Sequence, residues 1–178
     1  GRIRGQLGQQ RTLGLITFRN PYLNDSLTSM QLDIYKSMTN YVTYFEKKSG
    51  ASVTFGRWCS EYVAGSVSLF AEQLNFSDPT VDAPEIVTLQ LGNQTTTGFR
   101  TSMTRDTRDY YLDPRTGWRT SLGVDWGTPY LGGTNNFYKY TLDVMKYTPL
   151  PYDTRLSVRA RYGVAQGLNT DGQTKPVP

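Results

Sequence analysis

Residues 104–126 read Thr104-Arg105-Asp106-Thr107-Arg108-Asp109-Tyr110-Tyr111-Leu112-Asp113-Pro114-Arg115-Thr116-Gly117-Trp118-Arg119-Thr120-Ser121-Leu122-Gly123-Val124-Asp125-Trp126. A charged turn opens into a strict two-residue alternation. Trp118, Thr120, Leu122, Val124 and Trp126 fall on one face. Arg119, Ser121, Gly123, Asp125 and Gly127 fall on the other. A strand that is apolar on one side and charged or tiny on the other separates two media.

The same period runs outward through the chain. Leu13–Phe18 is an apolar run stopped by Arg19-Asn20-Pro21-Tyr22, because proline donates nothing to a ladder. Met30, Leu32 and Ile34 alternate with Gln31, Asp33 and Tyr35, Ala51, Val53 and Phe55 with Ser52, Thr54 and Gly56, and Val63, Gly65, Val67, Leu69 and Ala71 with Ala64, Ser66, Ser68, Phe70 and Glu72. On the far side of the charged turn, Tyr138, Tyr140, Leu142 and Val144 alternate with Lys139, Thr141 and Asp143. Leu156, Val158, Ala160, Tyr162 and Val164 alternate with Arg155, Ser157, Arg159, Arg161 and Gly163. Thr39–Lys48 reads as a loop or a strand extension. Asn75–Asn93 reads as a long loop in which Ile86–Leu89 adds a short strand at most, and residues 1–10 as a Gly-rich strand at most. These segments predict about nine strands in hairpin succession, an all-β antiparallel meander. Turns near Pro21, Cys59 and Pro149 read as short, and connections at 38–48, 75–94 and 128–136 as long. Such an alternation marks a membrane barrel.

Composition narrows the function. Of 178 residues 37% are hydrophobic and 13% aromatic, with 13 Tyr. That is lean for a soluble core yet too aromatic for disorder. The net charge of +4 comes from scattered basic residues, with no polybasic tail suited to nucleic acid. The absence of His excludes His-based acid–base catalysis and His metal ligands, and the lone Cys59 excludes an intrachain disulfide. No catalytic set or Gly-rich phosphate loop is recognisable, and no cofactor is expected. Asp106 and Asp109 beside Arg105 and Arg108 read as turn ion pairs rather than as paired catalytic carboxylates.

Trp118 and Trp126 are eight residues apart, roughly 26 Å along a strand and roughly 20 Å of height at about 40° tilt, near the apolar band of a membrane barrel. The expected lipid-facing set is Trp118, Leu122, Val124, Trp126, Leu142, Val144, Leu156 and Val158. The expected lumen-facing set is Arg119, Asp125, Lys139, Asp143, Arg155, Arg159 and Arg161. A soluble sandwich with a solvated outer face stays open on composition.

Arg105-Asp106-Thr107-Arg108-Asp109, followed by Asp113-Pro114-Arg115-Thr116-Gly117, resembles the signature of the BamA/bacterial surface antigen family. In that family an Arg-Asp pair precedes an Asp-Pro-x-x-Gly turn. Asn20-Pro21-Tyr22 resembles a second family turn, and Arg159-Ala160-Arg161-Tyr162-Gly163 the strand before the family's lid loop. The matches follow the family order over most of residues 10–167. The resemblance implies part of a sixteen-stranded outer-membrane barrel of a Gram-negative bacterium. It implies a non-enzymatic assembly factor that folds and inserts barrel proteins through a lateral seam. Lipid, unfolded outer-membrane clients and accessory lipoproteins are its implied partners, and nucleic acid is not. The turn residues Arg105, Asp106, Arg108, Asp109, Asp113, Pro114 and Gly117 are then structural. Residues 1–178 correspond to a partial barrel, with POTRA repeats, first strands, lid loop and last strands outside them. A two-partner secretion or TamA-like translocation barrel, or a porin-like channel, is the alternative.

Overall fold

The computed structural model describes residues 1–77, 79 and 92–168. Among the described residues nine strands succeed one another: β1 (Arg2–Gln6), β2 (Arg11–Asn20), β3 (Thr28–Asn40), β4 (Phe45–Ser60), β5 (Val63–Ser77), β6 (Gly92–Asp106), β7 (Gly117–Gly127), β8 (Phe137–Leu150) and β9 (Thr154–Gly167). They form one sheet in the order β1-β2-β3-β4-β5-β6-β7-β8-β9, each strand antiparallel to its sequence neighbour. The meander read from the two-residue period is the observed fold. Among the described residues no ladder joins β9 to β1, so the sheet is an open wall with two edges.

The strands are longer than their apolar runs. Thr39 and Asn40 pair with Glu46 and Phe45, so the polar stretch 39–48 is strand on both sides of a four-residue turn. β8 likewise runs on through Pro149 and Leu150, and the turn is Pro151-Tyr152-Asp153, with Tyr152 and Asp153 at φ 63° and 55°. At one end of the wall, the corner end, lie the connections 21–27, 61–62, 107–116 and 151–153. At the loop end lie 7–10, 41–44 and 128–136, and there β5 ends and β6 begins. The expected contrast of short and long turns is therefore weaker than the sequence reading had it: the corner end carries two connections of seven and ten residues. The Ile86–Leu89 strand falls outside the described residues. One irregularity interrupts the registers: β4 slips against β5 between Trp58 and Ser60. Cys59 is the extra residue of that bulge.

Among the described residues no layer packs on either face, and the buried hydrophobic side chains are Phe70 and Phe137, 6% and 7% exposed. Both lie on the face that also carries the carboxylates.

Candidate functional site

Directly opposed residues in an antiparallel ladder share a face, so the registers assign every strand side chain to a side. One side collects Ile16 and Phe18; Met30, Leu32 and Ile34; Val53 and Phe55; Val67 and Leu69; Phe99 and Met103; and Leu122, Val124 and Trp126. It continues through Tyr140, Leu142 and Val144 to Leu156, Val158, Tyr162 and Val164. Rows such as Phe18–Leu32–Val53–Leu69–Phe99–Trp126 cross six strands without a charge. These side chains stay open: Leu122 is 46% exposed, Trp126 46% and Val158 52%.

The other side carries all six carboxylates of the described strands: Asp33, Glu46, Glu72, Asp106, Asp125 and Asp143. Side-chain bonds run across it. Thr17 Oγ1 donates to Asp33 at 2.7 Å, Thr54 and Ser68 share a bond of 2.8 Å, Ser66 and Ser102 one of 2.8 Å, and Thr104 and Ser121 one of 3.0 Å. Lys48 Nζ is 2.9 Å from Glu72, Arg100 Nε 3.0 Å from Asp125, and Arg159 and Arg161 clamp Asp143 at 2.6 and 2.8 Å. Aromatic rings fill the gaps beside glycine. The Tyr35 hydroxyl reaches over Gly50 to donate to Glu72, and a Cβ at Gly50 would lie 2.7 Å from that hydroxyl. Phe137 lies directly opposite Gly127, where a Cβ would approach its ring to 2.5 Å. Phe70, opposite Gly98, instead lies under the Arg100 guanidinium, 4.9 Å above its ring, and the space at Gly98 is taken by the Trp126 carbonyl.

The charged turn, 107–116, is a braced corner. Arg108 grips Asp106 through two side-chain bonds, at 2.8 and 2.5 Å, and its guanidinium lies 5.2 Å from the Tyr111 ring. Asp109 does not pair with an arginine. Its Oδ1 accepts backbone N–H groups from Tyr110, Arg115 and Thr116 at 2.9, 3.0 and 3.1 Å. These bonds, Thr116 first, hold its carboxyl below the ordinary range. Gly117 closes the corner at φ 107°, where a Cβ would press into the Thr107 carbonyl and lie 2.8 Å from Arg108 Cα. The corner also grips its neighbour. Arg115 meets Asp153 at 2.5 Å, Asp113 pairs with Arg155, and Arg155 Nη1 donates to the Pro114 carbonyl at 3.1 Å. Pro114 is buried beneath.

Of the sequence-predicted residues, Arg119, Asp125, Lys139, Asp143, Arg155, Arg159 and Arg161 share the polar face, and Trp118, Leu122, Val124, Trp126, Leu142, Val144, Leu156 and Val158 the apolar one. Asn20 accepts the Tyr22 N–H at 3.2 Å across Pro21, a local turn with no tie to the corner. Arg105 departs from the expected turn ion pair. It lies opposite Thr120 on the apolar face, and among the described residues it has no carboxylate partner. The ring contacts at Gly50 and Gly127 have no signal in the sequence pattern, because they join residues fifteen and ten positions apart. Among the described residues no group of three or more His, Cys, Asp or Glu side chains could hold a metal ion, and no helix is long and apolar enough to cross a membrane.

The family model described as the Omp85 superfamily domain matches residues 1–178. The crystal structure of BamA from Haemophilus ducreyi lacking POTRA domains 1-3 superposes with a TM-score of 0.76 at 16% identity, over 98% of this chain and 36% of that one. The chain thus spans about a third of that structure, and the likeness is one of fold. No curated protein sequence matches.

Proposed function

This chain belongs to the Omp85 superfamily, and from that premise we propose that it is the central wall of an outer-membrane barrel whose whole protein folds and inserts other barrel proteins. The observation that carries the reading is the pairing of a bare apolar face with a polar face holding every described strand carboxylate. Water on both sides would leave the apolar rows without cover. Lipid on one side and a wet lumen on the other suits both. In this reading Trp118, Leu122, Val124, Trp126, Leu142, Val144, Leu156 and Val158 meet acyl chains. Arg119, Asp125, Lys139, Asp143, Arg155, Arg159 and Arg161 face the lumen. The corner end is periplasmic.

The wall itself is built to stay shut, through its ladders and its cross-strand polar bonds. Opening belongs to a seam between strands beyond β1 and β9, where a client strand adds by edge pairing. The process moves hydrogen bonds and apolar surface and makes no covalent change, so it calls for neither a catalytic residue nor a cofactor. Accessory lipoproteins would bind the whole protein from the periplasmic side.

Depletion of the whole protein in its own Gram-negative host, followed by porin levels in the outer membrane, tests the proposal. A fall in several folded porins is expected. Unchanged porins with loss of one secreted substrate would replace insertion by translocation.

A further inference from the structure

The charges on the apolar face are unlike those on the polar face. Among the described strands its ionic residues are Lys36, Lys47, Arg57, Arg105 and Lys146, all cations. They lie in two rims. Lys36 and Lys47 stand toward the loop end, and Arg57, Arg105 and Lys146 toward the corner end. Lys47 and Arg57 are both on β4, ten residues apart, with Ser49, Ala51, Val53 and Phe55 between them on the same face. At about 3.3 Å per residue and about 40° tilt this is roughly 25 Å of height, the span of a barrel's apolar band. Lys146 covers the Trp118 ring at 4.7 Å. Arg57 and Arg105 are exposed and, among the described residues, have neither an ion pair nor a ring beneath them.

These two arginines flank a gap. Arg57 lies opposite Gly65, and Arg105 opposite Val63, on the strands either side of β5. Two strands and one pleat separate them, roughly 12 Å between Cα atoms. Below them the missing side chain of Gly65 leaves an apolar groove lined by Phe55, Val67, Met103, Leu122 and Val124, with Arg57 at its mouth. A Cβ at Gly65 would meet nothing nearer than 3.8 Å, so the groove is open rather than filled by a neighbour.

We propose that Arg57, Arg105 and the groove over Gly65 bind one anionic phospholipid, its phosphate between the two guanidinium groups and an acyl chain along the groove. The site rests on the reading that this face meets lipid. Charge complementarity selects the occupant: two unpaired guanidinium groups favour phosphate, and an adjoining apolar groove favours a phosphate that carries a chain over a free one. A neutral, zwitterionic lipid fills the groove and satisfies the pair less well.

The test uses the whole protein in phosphatidylcholine vesicles, with spin-labelled phosphatidylglycerol or spin-labelled phosphatidylcholine as probe and electron paramagnetic resonance as readout. Motionally restricted phosphatidylglycerol is expected to exceed phosphatidylcholine. Arg57→Gln and Arg105→Gln should each lower that preference about fivefold, and Lys36→Gln should leave the corner-end preference in place. Gly65→Leu, whose Cβ would meet nothing nearer than 3.8 Å, should fill the groove and weaken the preference with both arginines intact. Equal restriction of the two lipids, or a preference that survives the Arg57→Gln/Arg105→Gln double variant, overturns the site while leaving the membrane reading standing. Absence of any restricted component overturns both. A preference unchanged by Gly65→Leu overturns the groove.

Discussion

Asp125 and Trp126 are neighbours on β7, yet they take part in different kinds of structure. Asp125 accepts from Arg100 at 3.0 Å, within a face crossed by hydroxyl, carboxylate and guanidinium contacts. Trp126 packs against Phe99 with ring centroids 6.2 Å apart and otherwise stays open. One face is crossed by directional bonds between named partners, and the other carries a few ring contacts, Phe99–Trp126 and Lys146–Trp118 among them, on otherwise open side chains. The difference teaches where specificity is stored. On the polar face Glu72, Asp125 and Asp143 each have a named partner to lose. Between the cationic rims of the apolar face hydrophobicity and size matter most, because the proposed partner there is a fluid.

The sharpest way to break this contrast is a charge at mid-height on the apolar face. Leu122→Arg should destabilise the membrane-inserted parent protein by about 2–4 kcal/mol, whereas Thr141→Arg, one row away on the polar face, should cost below about 1 kcal/mol. Urea titration in vesicles measures both, and equal costs would contradict the assignment of lipid to one side. Next comes the corner. Gly117→Ala places a Cβ against the Thr107 carbonyl at φ 107° and should cost about 1–3 kcal/mol, read as a lower temperature for loss of the compact band on unboiled gels. Within the polar face, Gly50→Ala would displace the Tyr35 ring and press on the Ala71 carbonyl at 2.9 Å, a loss of about 1 kcal/mol. A second change, Tyr35→Phe, should not restore it, since the ring and not only its hydroxyl occupies the space.

The smallest effect is one of pH. The Asp109 carboxyl is held below its ordinary value by backbone N–H groups. The bracing is therefore complete above the unfolded value of about 3.9 and is lost as pH falls through the lowered folded value. In a variant keeping Trp118 as its one tryptophan, fluorescence should shift over that acid range. Asp109→Asn should remove the titration, and an unchanged acid shift in that variant would assign it elsewhere.

Much of this architecture is legible from parity alone. Side-chain direction in a strand is a local property, so the alternation from Trp118 to Trp126 states its two faces without knowledge of any partner. The neighbours of those faces follow once the hairpins are in order. Strand ends are a different matter. Thr39, Asn40, Glu46, Lys47 and Lys48 are strand because Arg11, the Gln10 carbonyl and residues 74–76 supply their ladders. Hydrophobicity stops where the apolar band stops, and hydrogen bonding runs on. The corner is legible as a turn from Pro114 and Gly117. Its grip on Asp153 and Arg155 is not, because that pairing depends on β8 folding back beside β7. The cationic rims were open to the same parity argument: Lys146 has the parity of Val144, and Arg57 that of Phe55.

A two-residue period makes the wall vulnerable to arithmetic. One residue inserted or deleted inside a strand exchanges inside for outside along everything that follows, until the next turn resets the count. The bulge at Cys59 is such an insertion, tolerated because of where it stands. Past it β4 has only Ser60 left before the turn. The slip falls beyond the last row that parity must govern, so an error of phase that would invert a strand at mid-height is confined to its final residue.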